Sequence, residues 1–388
     1  MCRTLYAEVL GEQILKTFSK KNRCMRKAHL TESEKEILNA LGKSPGIPLK
    51  GLVDCTQYKR LSSVIKKIGQ FKKQNLLHGP FYDVDFGKLC KNSFSVLIFV
   101  IEFSQSYETV ISHLRLIEPL KYVYPVLSSH KEVLIAIFLS SDNAETVSLI
   151  QLLKDNNIVT DYITRAYSHR REIENPNFFG DPNPSLDNLL EPCDIPDLSF
   201  GCHETDWNAC DISILPYLQM GYKGAKLIEI LKEERKLNRI WKYDQIKYSH
   251  RKMLKSGLIK KRYVLFPFSY DQCAVFELYL KTEDRAVTRR IQCNFVRGSR
   301  VFKEYSFCGD WGRVGFISHP HFLTGLMHKL DQIDEITKKE LYQLRSIPDK
   351  EHSFDQPLVL TYFNFDEQTL KYPYHVYRER IKEKLEVG

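Results

Sequence analysis

Two periodicities alternate along the chain. From Thr31, TESEKEILNAL combines an S/T-x-x-E capping box (Thr31, Glu34) with apolar Ile37, Leu38 and Leu41, which predicts a helix start. After a break at Ser44–Pro48, a short helical piece is expected around Leu49–Val53 and a longer one from about Tyr58 to Asn75. In the longer piece Leu61, Val64, Ile65, Ile68 and Phe71 fall on one stripe expected to be buried, and Ser62, Ser63, Lys66, Lys67, Gln70 and Lys73 take the other face. Three helices of which the third has a basic outer face form a helix-turn-helix candidate. The pattern then changes. FSVLIFVIEF from Phe94, LKYVYPVL from Leu120, EVLIAIFLS from Glu132 and IVTDYITRAY from Ile158 read as strands, with helical YETVISHLRLI and AETVSLIQLLKD between them. The order is βαββαβ, a ferredoxin-like arrangement.

The second half repeats the first. A helical triplet is expected from Trp207, with apolar Ile212, Ile214, Leu215 and Leu218 in its first helix. The third helices align at an offset of 182 residues: Val64 with Ile246, Ile68 with His250, Phe71 with Met253, Asn75 with Gly257 and Leu77 with Ile259. MLKSGLI (253–259) places a Gly where a helix ends in a left-handed residue, and KKRYVLFPF from Lys260 reads as a wing strand. CAVFELYL, TEDRAVTRRIQCNF, RVFKEYSF, a turn at CGDWG, RVGFIS, PHFLTGLMHKLDQI and EITKKELYQLRSI restate βαββαβ. A period of this length indicates a duplicated two-domain unit rather than a solenoid. The expected organisation is a basic helical extension (1–29), winged helix-turn-helix 1 (30–88), ferredoxin-like domain 1 (92–168), an acidic Pro-rich linker (169–206), winged helix-turn-helix 2 (207–268), ferredoxin-like domain 2 (271–348) and a C-terminal extension (349–388). The fold class is α+β.

Charge sharpens this division. The net +9 conceals a tract, residues 171–206, with nine acids against one base. Lys16–Lys27 and Lys59–Lys73 each hold six bases and no acid, and Lys232–Arg262 holds twelve bases against three acids. A single basic run is commonly a solvated face, but two of these three coincide with third helices. The acidic tract carries Pro176, Pro182, Pro184, Pro192 and Pro196 and is expected to be an ordered-to-flexible linker. The ten cysteines include no C-x-x-C pair; Cys193, Cys202, His203 and Cys210 are irregularly spaced, and free thiols are expected rather than a metal site. The most apolar runs are of strand length, so a soluble, cytoplasmic protein without membrane contact is expected.

A helix-turn-helix followed by βαββαβ resembles the Lrp/AsnC (feast/famine) regulators of bacteria and archaea, here in tandem, and suggests an archaeal source. DISILPYLQ (211–219), MLKSGLI (253–259) and the turn CGDWGRVGF (308–316) carry the resemblance. Two departures stand in the first copy: LSSHKE replaces the Gly-Asp turn, and Asn75 replaces the helix-ending Gly. The resemblance implies a sequence-specific transcriptional regulator that binds double-stranded DNA, without cofactor, metal or catalytic residues. DNA contacts are then expected from Ser62, Ser63, Lys66, Lys67 and Gln70, and from Lys242, Gln245, Lys247, Tyr248, Arg251 and Lys252, with Lys260, Lys261 and Arg262 at the wing. Gly309 and Asp310 are the weak effector-site candidates for a small molecule. The ferredoxin-like domains would make a homodimer or an internal pseudo-dimer. Two alternatives stay open: a protein-interaction or small-molecule-sensing module without DNA binding, and an enzyme like the sirohaem decarboxylases, which look like this family in fold.

Overall fold

The computed structural model describes residues 30–167, 169–345 and 354–387. The basic extension with its Lys16–Lys27 run lies outside the described residues. The first copy runs α1 (Glu32–Lys43), α2 (Leu49–Asp54), α3 (Leu61–Lys73), β1 (Leu77–Val84), α4 (Phe86–Leu89), β2 (Ser95–Phe103), α5 (Tyr107–Leu114), β3 (Leu120–Val126), β4 (Glu132–Ser140), α6 (Asn143–Asp155), β5 (Asp161–Tyr167) and β6 (Glu172–Glu174). The second runs α7 (Ala209–Gln219), α8 (Leu227–Lys236), α9 (Tyr243–Ser256), β7 (Ile259–Leu265), β8 (Ala274–Thr282), α10 (Arg285–Asn294), β9 (Phe302–Cys308), β10 (Trp311–Ser318), α11 (Pro320–Asp331), β11 (Ile336–Gln343) and β12 (Phe354–Asp355). A small hairpin, β13 (Phe363–Asn364) with β14 (Thr369–Leu370), and α12 (Tyr374–Val387) follow. The fold is mixed α+β, two copies of a helical triplet plus a ferredoxin-like sheet.

Local chemistry explains the helix ends. Thr31 and Glu34 close both bonds of the capping box at the start of α1. Gly257 ends α9 at φ 72, where a Cβ is disfavoured. Asn75 takes the same left-handed conformation, φ 57, after α3. The departure seen in the sequence is therefore neutral in geometry, because Asn tolerates this region better than other side-chain-bearing residues. The buried stripe of α3 is narrower than its periodicity implies. Val64 and Phe71 enter the core with Ile37, Leu38 and Leu52, whereas Leu61 and Ile65 are exposed.

The two copies are threaded through each other. The segment expected to form a wing within the second copy, β7, instead pairs antiparallel with β1 of the first, in a register from Leu77↔Leu265 to Val84↔Ile259. The wing is replaced by a ribbon shared between the two helical triplets, since a strand beside an equivalent strand satisfies its backbone groups without a hairpin of its own. The sheets have the orders β12-β3-β4-β2-β5 and β11-β8-β10-β9-β6. The short strand that follows each ferredoxin-like domain crosses to the other copy: β6 covers the edge of β9, and β12 covers the edge of β3. This exchange removes two exposed strand edges. Between the sheets, Arg165 lies 4.5 Å from the Tyr279 ring centroid and 4.7 Å from that of Trp311, and donates to Glu340 at 2.7 Å.

The acidic tract, expected to be an ordered-to-flexible linker, is packed against the body of the protein. Phe178, Leu186, Leu189 and Leu198 are buried, the last three against Phe276, Ile291 and Phe295 of the second ferredoxin-like domain. Apolar residues spaced through the prolines supply an anchor that composition averages away. The C-terminal segment does the same for the first domain: the Tyr374 hydroxyl accepts from Ser141 N (3.0 Å) and Asp142 N (3.2 Å), and Tyr377 and Ile381 are fully buried.

A candidate ligand cavity and the candidate DNA-reading helices

Where the shared ribbon meets the two sheets, the fold encloses a cavity of about 1900 Å3. Ligand pockets are commonly about 300–1,000 Å3, so this one has room for an unusually large molecule. Its walls differ. The first sheet contributes Val96, Tyr122, Tyr124, Ile137, Leu139 and Tyr167, and the Tyr122 and Tyr124 rings stack with centroids 5.7 Å apart. The second sheet contributes Glu277, Glu304, Arg313 and Gly315, set among apolar Val275, Phe302, Phe316 and Ile317. In both, residues two apart on a strand face the same way, so the alternation that builds the sheet also sets the wall.

The charged wall is one continuous network. Arg313 Nη2 donates to Glu277 (2.6 Å) and Glu304 (2.9 Å); Arg171 bridges Glu304 (2.9 Å) and Asp83 (2.9 Å); Arg262 donates to Asp83 (3.1 Å) and Glu172 (3.2 Å). Gly315 leaves the space this requires, since a Cβ there would lie 3.1 Å from Glu277 Oε1. Burial alone would raise Glu304, but Arg171 and Arg313 outweigh it and hold the carboxyl below its ordinary value. Glu277 is pushed up by burial, with Arg313 only partly opposing. Glu277 Oε2 and Arg313 Nε are buried without a partner. Unmatched polar atoms of this kind are costly, and they mark where a ligand group or water would be held.

Lys121 stands at the border of the two walls. Its ammonium donates to Gln219 Oε1 (3.1 Å) and to the Gln356 carbonyl (2.7 Å). Burial lowers it to about 8, against the pull of the nearby Asp355 carboxylate. His169, also lining the cavity, is lowered by burial and by Arg289, and its Nδ1 is buried without a partner. Cations outnumber acids around the cavity: ten Lys and Arg side chains against seven carboxylates.

The residues expected to read DNA divide into two groups. Ser62, Lys66 and Gln70 of α3 are exposed, as are Lys242, Gln245, Tyr248 and Arg251 at α9, and Lys260; Ser63, Lys247 and Lys261 are half-buried. Three others have partners within the protein, Lys67 and Lys252 while still partly exposed and Arg262 buried. Lys67 pairs with Glu34 at 2.6 Å, Lys252 with the fully buried Asp211 at 2.8 Å, and Arg262 belongs to the cavity network. Basic side chains on a third helix do double duty here, neutralising acids of the helices beneath. The effector candidates are also relocated: Gly309 and Asp310 form the exposed β9–β10 turn, outside the cavity, and Asp310 is bound by Arg285 and Lys281. Lys121, Arg171, Glu277, Glu304 and Arg313 were not expected. Their signal in the sequence was a charged residue interrupting an apolar strand, as in AVFELYL, VFKEYSF and RVGFIS.

Two copies of a helical triplet and a ferredoxin-like sheet thus surround one asymmetric cavity. No family model matches the sequence, and no curated protein does. Solved structures similar to it include the siroheme decarboxylase NirDL (10% identity, TM-score 0.49, 92% of this chain and 100% of that one) and the same enzyme in co-complex with an iron-uroporphyrin III analogue (11% identity, TM-score 0.48, 92% and 99%). AsnC of E. coli is similar over 36% of this chain and 93% of its own (16% identity, TM-score 0.26). The expectation that the chain is not an enzyme is corrected by the first two, which extend over nearly its whole length and are structures of an enzyme. Among the described residues no helix is long and apolar enough to cross a membrane.

Proposed function

We propose that the chain binds one large, flat, multiply carboxylated molecule in the central cavity and catalyses proton-assisted loss of CO2 from it. The observation that carries this reading is a cavity of about 1900 Å3 lined by the stacked Tyr122 and Tyr124 on one sheet and by an arginine–glutamate network set among apolar side chains on the other. A planar ring system would lie against Tyr122 and Tyr124, and its carboxylates would meet the cationic surplus. Burial lowers the Lys121 ammonium from its ordinary value, which suits a general acid. In the reaction the bond from ring substituent to carboxylate breaks, its electron pair stays on carbon, and that carbon takes the ammonium proton; no oxidant is involved. Lys121 then regains a proton from water. The test is to incubate the full chain with uroporphyrin III and follow absorbance and product mass. Binding with stepwise loss of carboxyl groups is expected, and Lys121→Met should bind but turn over poorly. Absence of binding by any polycarboxylated tetrapyrrole would sink the proposal.

A second reading, a regulator that binds duplex DNA, is favoured by the shared ribbon, which fixes two third helices as a pair with Ser62, Lys66, Gln70, Lys242, Gln245 and Arg251 exposed. The two readings are compatible, with ligand state altering DNA affinity. Affinity for duplex DNA should fall with a log–log salt slope of about −0.9 per phosphate neutralised, flattened by Lys66→Ala or Arg251→Ala. Equal slopes for variants and wild type would remove these helices from the groove.

A further inference from the structure

Cys90, Cys273 and Cys308 are pushed up to about 12, each chiefly by burial, which makes them poor nucleophiles. Cys293 is raised as well, chiefly by burial, but it also has a thiol partner. It sits buried in the last turn of α10, and the side chain it meets is that of half-exposed Cys193, from the acidic tract. The Cys293 Sγ also lies 3.4 Å from the carbonyl oxygen of Asp194, the residue next to that partner. The backbone around Cys193 is held in place. Asn294 Nδ2 donates to the carbonyls of Leu189 (3.2 Å) and Glu191 (2.7 Å), and Arg290 donates to that of Leu190 (3.4 Å). Cys193 therefore lies beside Cys293, on a docked loop whose residues are 100 positions away in sequence.

We propose that Cys193 and Cys293 form an oxidative modification site, closed to a disulfide by a peroxide and reopened by a thiol reductant. The exposed member reacts first. The Cys193 thiolate attacks a peroxide oxygen, the O–O bond breaks, and a sulfenic acid and water result. The Cys293 sulfur then displaces the sulfenic oxygen as a second water, and an S–S bond replaces two S–H bonds. Two thiols are oxidised for one peroxide reduced. Reduction by a dithiol reverses this through a mixed disulfide.

The consequence lies a few residues downstream. Pro196, Asp197, Leu198 and Phe200 form a lip of the central cavity, anchored by Arg170 to the carbonyls of Asp197 (3.2 Å) and Ser199 (2.9 Å). A covalent tie at Cys193 shortens the free run of chain leading to that lip. Oxidation thus restrains opening of the cavity, and this part alone rests on the ligand-binding reading.

The test treats the full chain with one equivalent of hydrogen peroxide, maps disulfides by peptide mass, and measures amide hydrogen exchange. A Cys193–Cys293 linked peptide, reversed by dithiothreitol, is expected as the dominant product. Exchange at 195–201 should slow at least several-fold in the oxidised chain. Cys193→Ser and Cys293→Ser should each abolish both changes; Cys202→Ser, the nearby exposed thiol, should abolish neither. If both thiols stay titratable, or if Cys193 links instead to Cys202, the proposal is overturned. If the disulfide forms but exchange at 195–201 is unchanged, the modification site stands and its control of the lip is refuted. Failure of tetrapyrrole binding would leave the disulfide result untouched, so the two readings fail separately.

Discussion

The two copies share a fold and differ in what they turn toward the cavity. At the offset that aligns the third helices, Lys121 corresponds to Lys303 and Tyr122 to Glu304. Lys303 is fully buried, donates to the carbonyls of Gln292 (3.2 Å) and Cys293 (2.9 Å), and pairs with Glu174 at 3.0 Å from the crossing strand. Lys121 is bound at the same place by Gln356, also from a crossing segment, but it remains on the cavity wall. The same lysine has become a structural strut in one copy and a candidate acid in the other. A homodimer would carry two identical walls. Two unlike copies within one chain let one sheet line the cavity with tyrosines and the other with an arginine–glutamate network.

This asymmetry can be broken at several points. The largest effect is expected at Glu304, which neutralises two arginines. Glu304→Gln leaves Arg171 and Arg313 undercompensated and should destabilise the chain by about 3–5 kcal/mol in denaturant unfolding. Tyr122→Phe, the aligned change in the first copy, should cost under about 1 kcal/mol. Equal losses would mean that the walls are not specialised. Next, Lys303→Met should cost about 2 kcal/mol through two stranded carbonyls and an unpaired Glu174, whereas Lys121→Met should affect stability less and the proposed reaction more. If Lys303→Met impaired turnover as severely as Lys121→Met with folding intact, the division of roles would be wrong.

Acid should also act unevenly. A carboxyl lowered in the folded state adds stability above its unfolded value, lost as pH falls through the folded value. Glu304 is such a group, whereas Glu277 is raised and binds a proton more readily in the folded chain, so it opposes folding at neutral pH and less so in acid. Below about pH 4.5 wild type should lose stability more steeply than Glu304→Gln, measured by thermal unfolding across pH. The smallest effect separates the helix ends. Gly257→Ala should cost about 1–2 kcal/mol, because φ 72 disfavours a Cβ and the added atom would lie 2.9 Å from Lys88 Nζ. Asn75→Gly should change stability by only a few tenths of a kcal/mol, in thermal melts of both variants.

Much of the fold was legible in the sequence because each copy announces itself through local periodicity: the Thr31 capping box, the Gly257 helix end and the βαββαβ order all come from interactions within a few residues. What could not be read depends on contacts between the copies. The pairing of β7 with β1, and the crossings of β6 and β12, join residues about 130 to 235 apart in sequence, and no short-range pattern encodes them. The cavity belongs to this second class. Glu277, Glu304 and Arg313 were visible only as oddities inside apolar strands, and Arg171 was counted as the single base of an acidic tract when it is the link between the tract, the ribbon and the sheet. Charge density along the chain pointed to the third helices, yet Lys67 and Lys252 spend their charge on Glu34 and Asp211.

The central claim is that the two copies build one asymmetric binding site. Titration of the full chain with uroporphyrin III, followed by absorbance with stoichiometry from equilibrium dialysis, tests it most directly. One ligand per chain is predicted, with affinity weakened by Tyr122→Ala on the aromatic wall and by Arg313→Leu on the ionic wall, in variants shown to be folded. Two ligands per chain, or binding that neither wall variant alters, would contradict it.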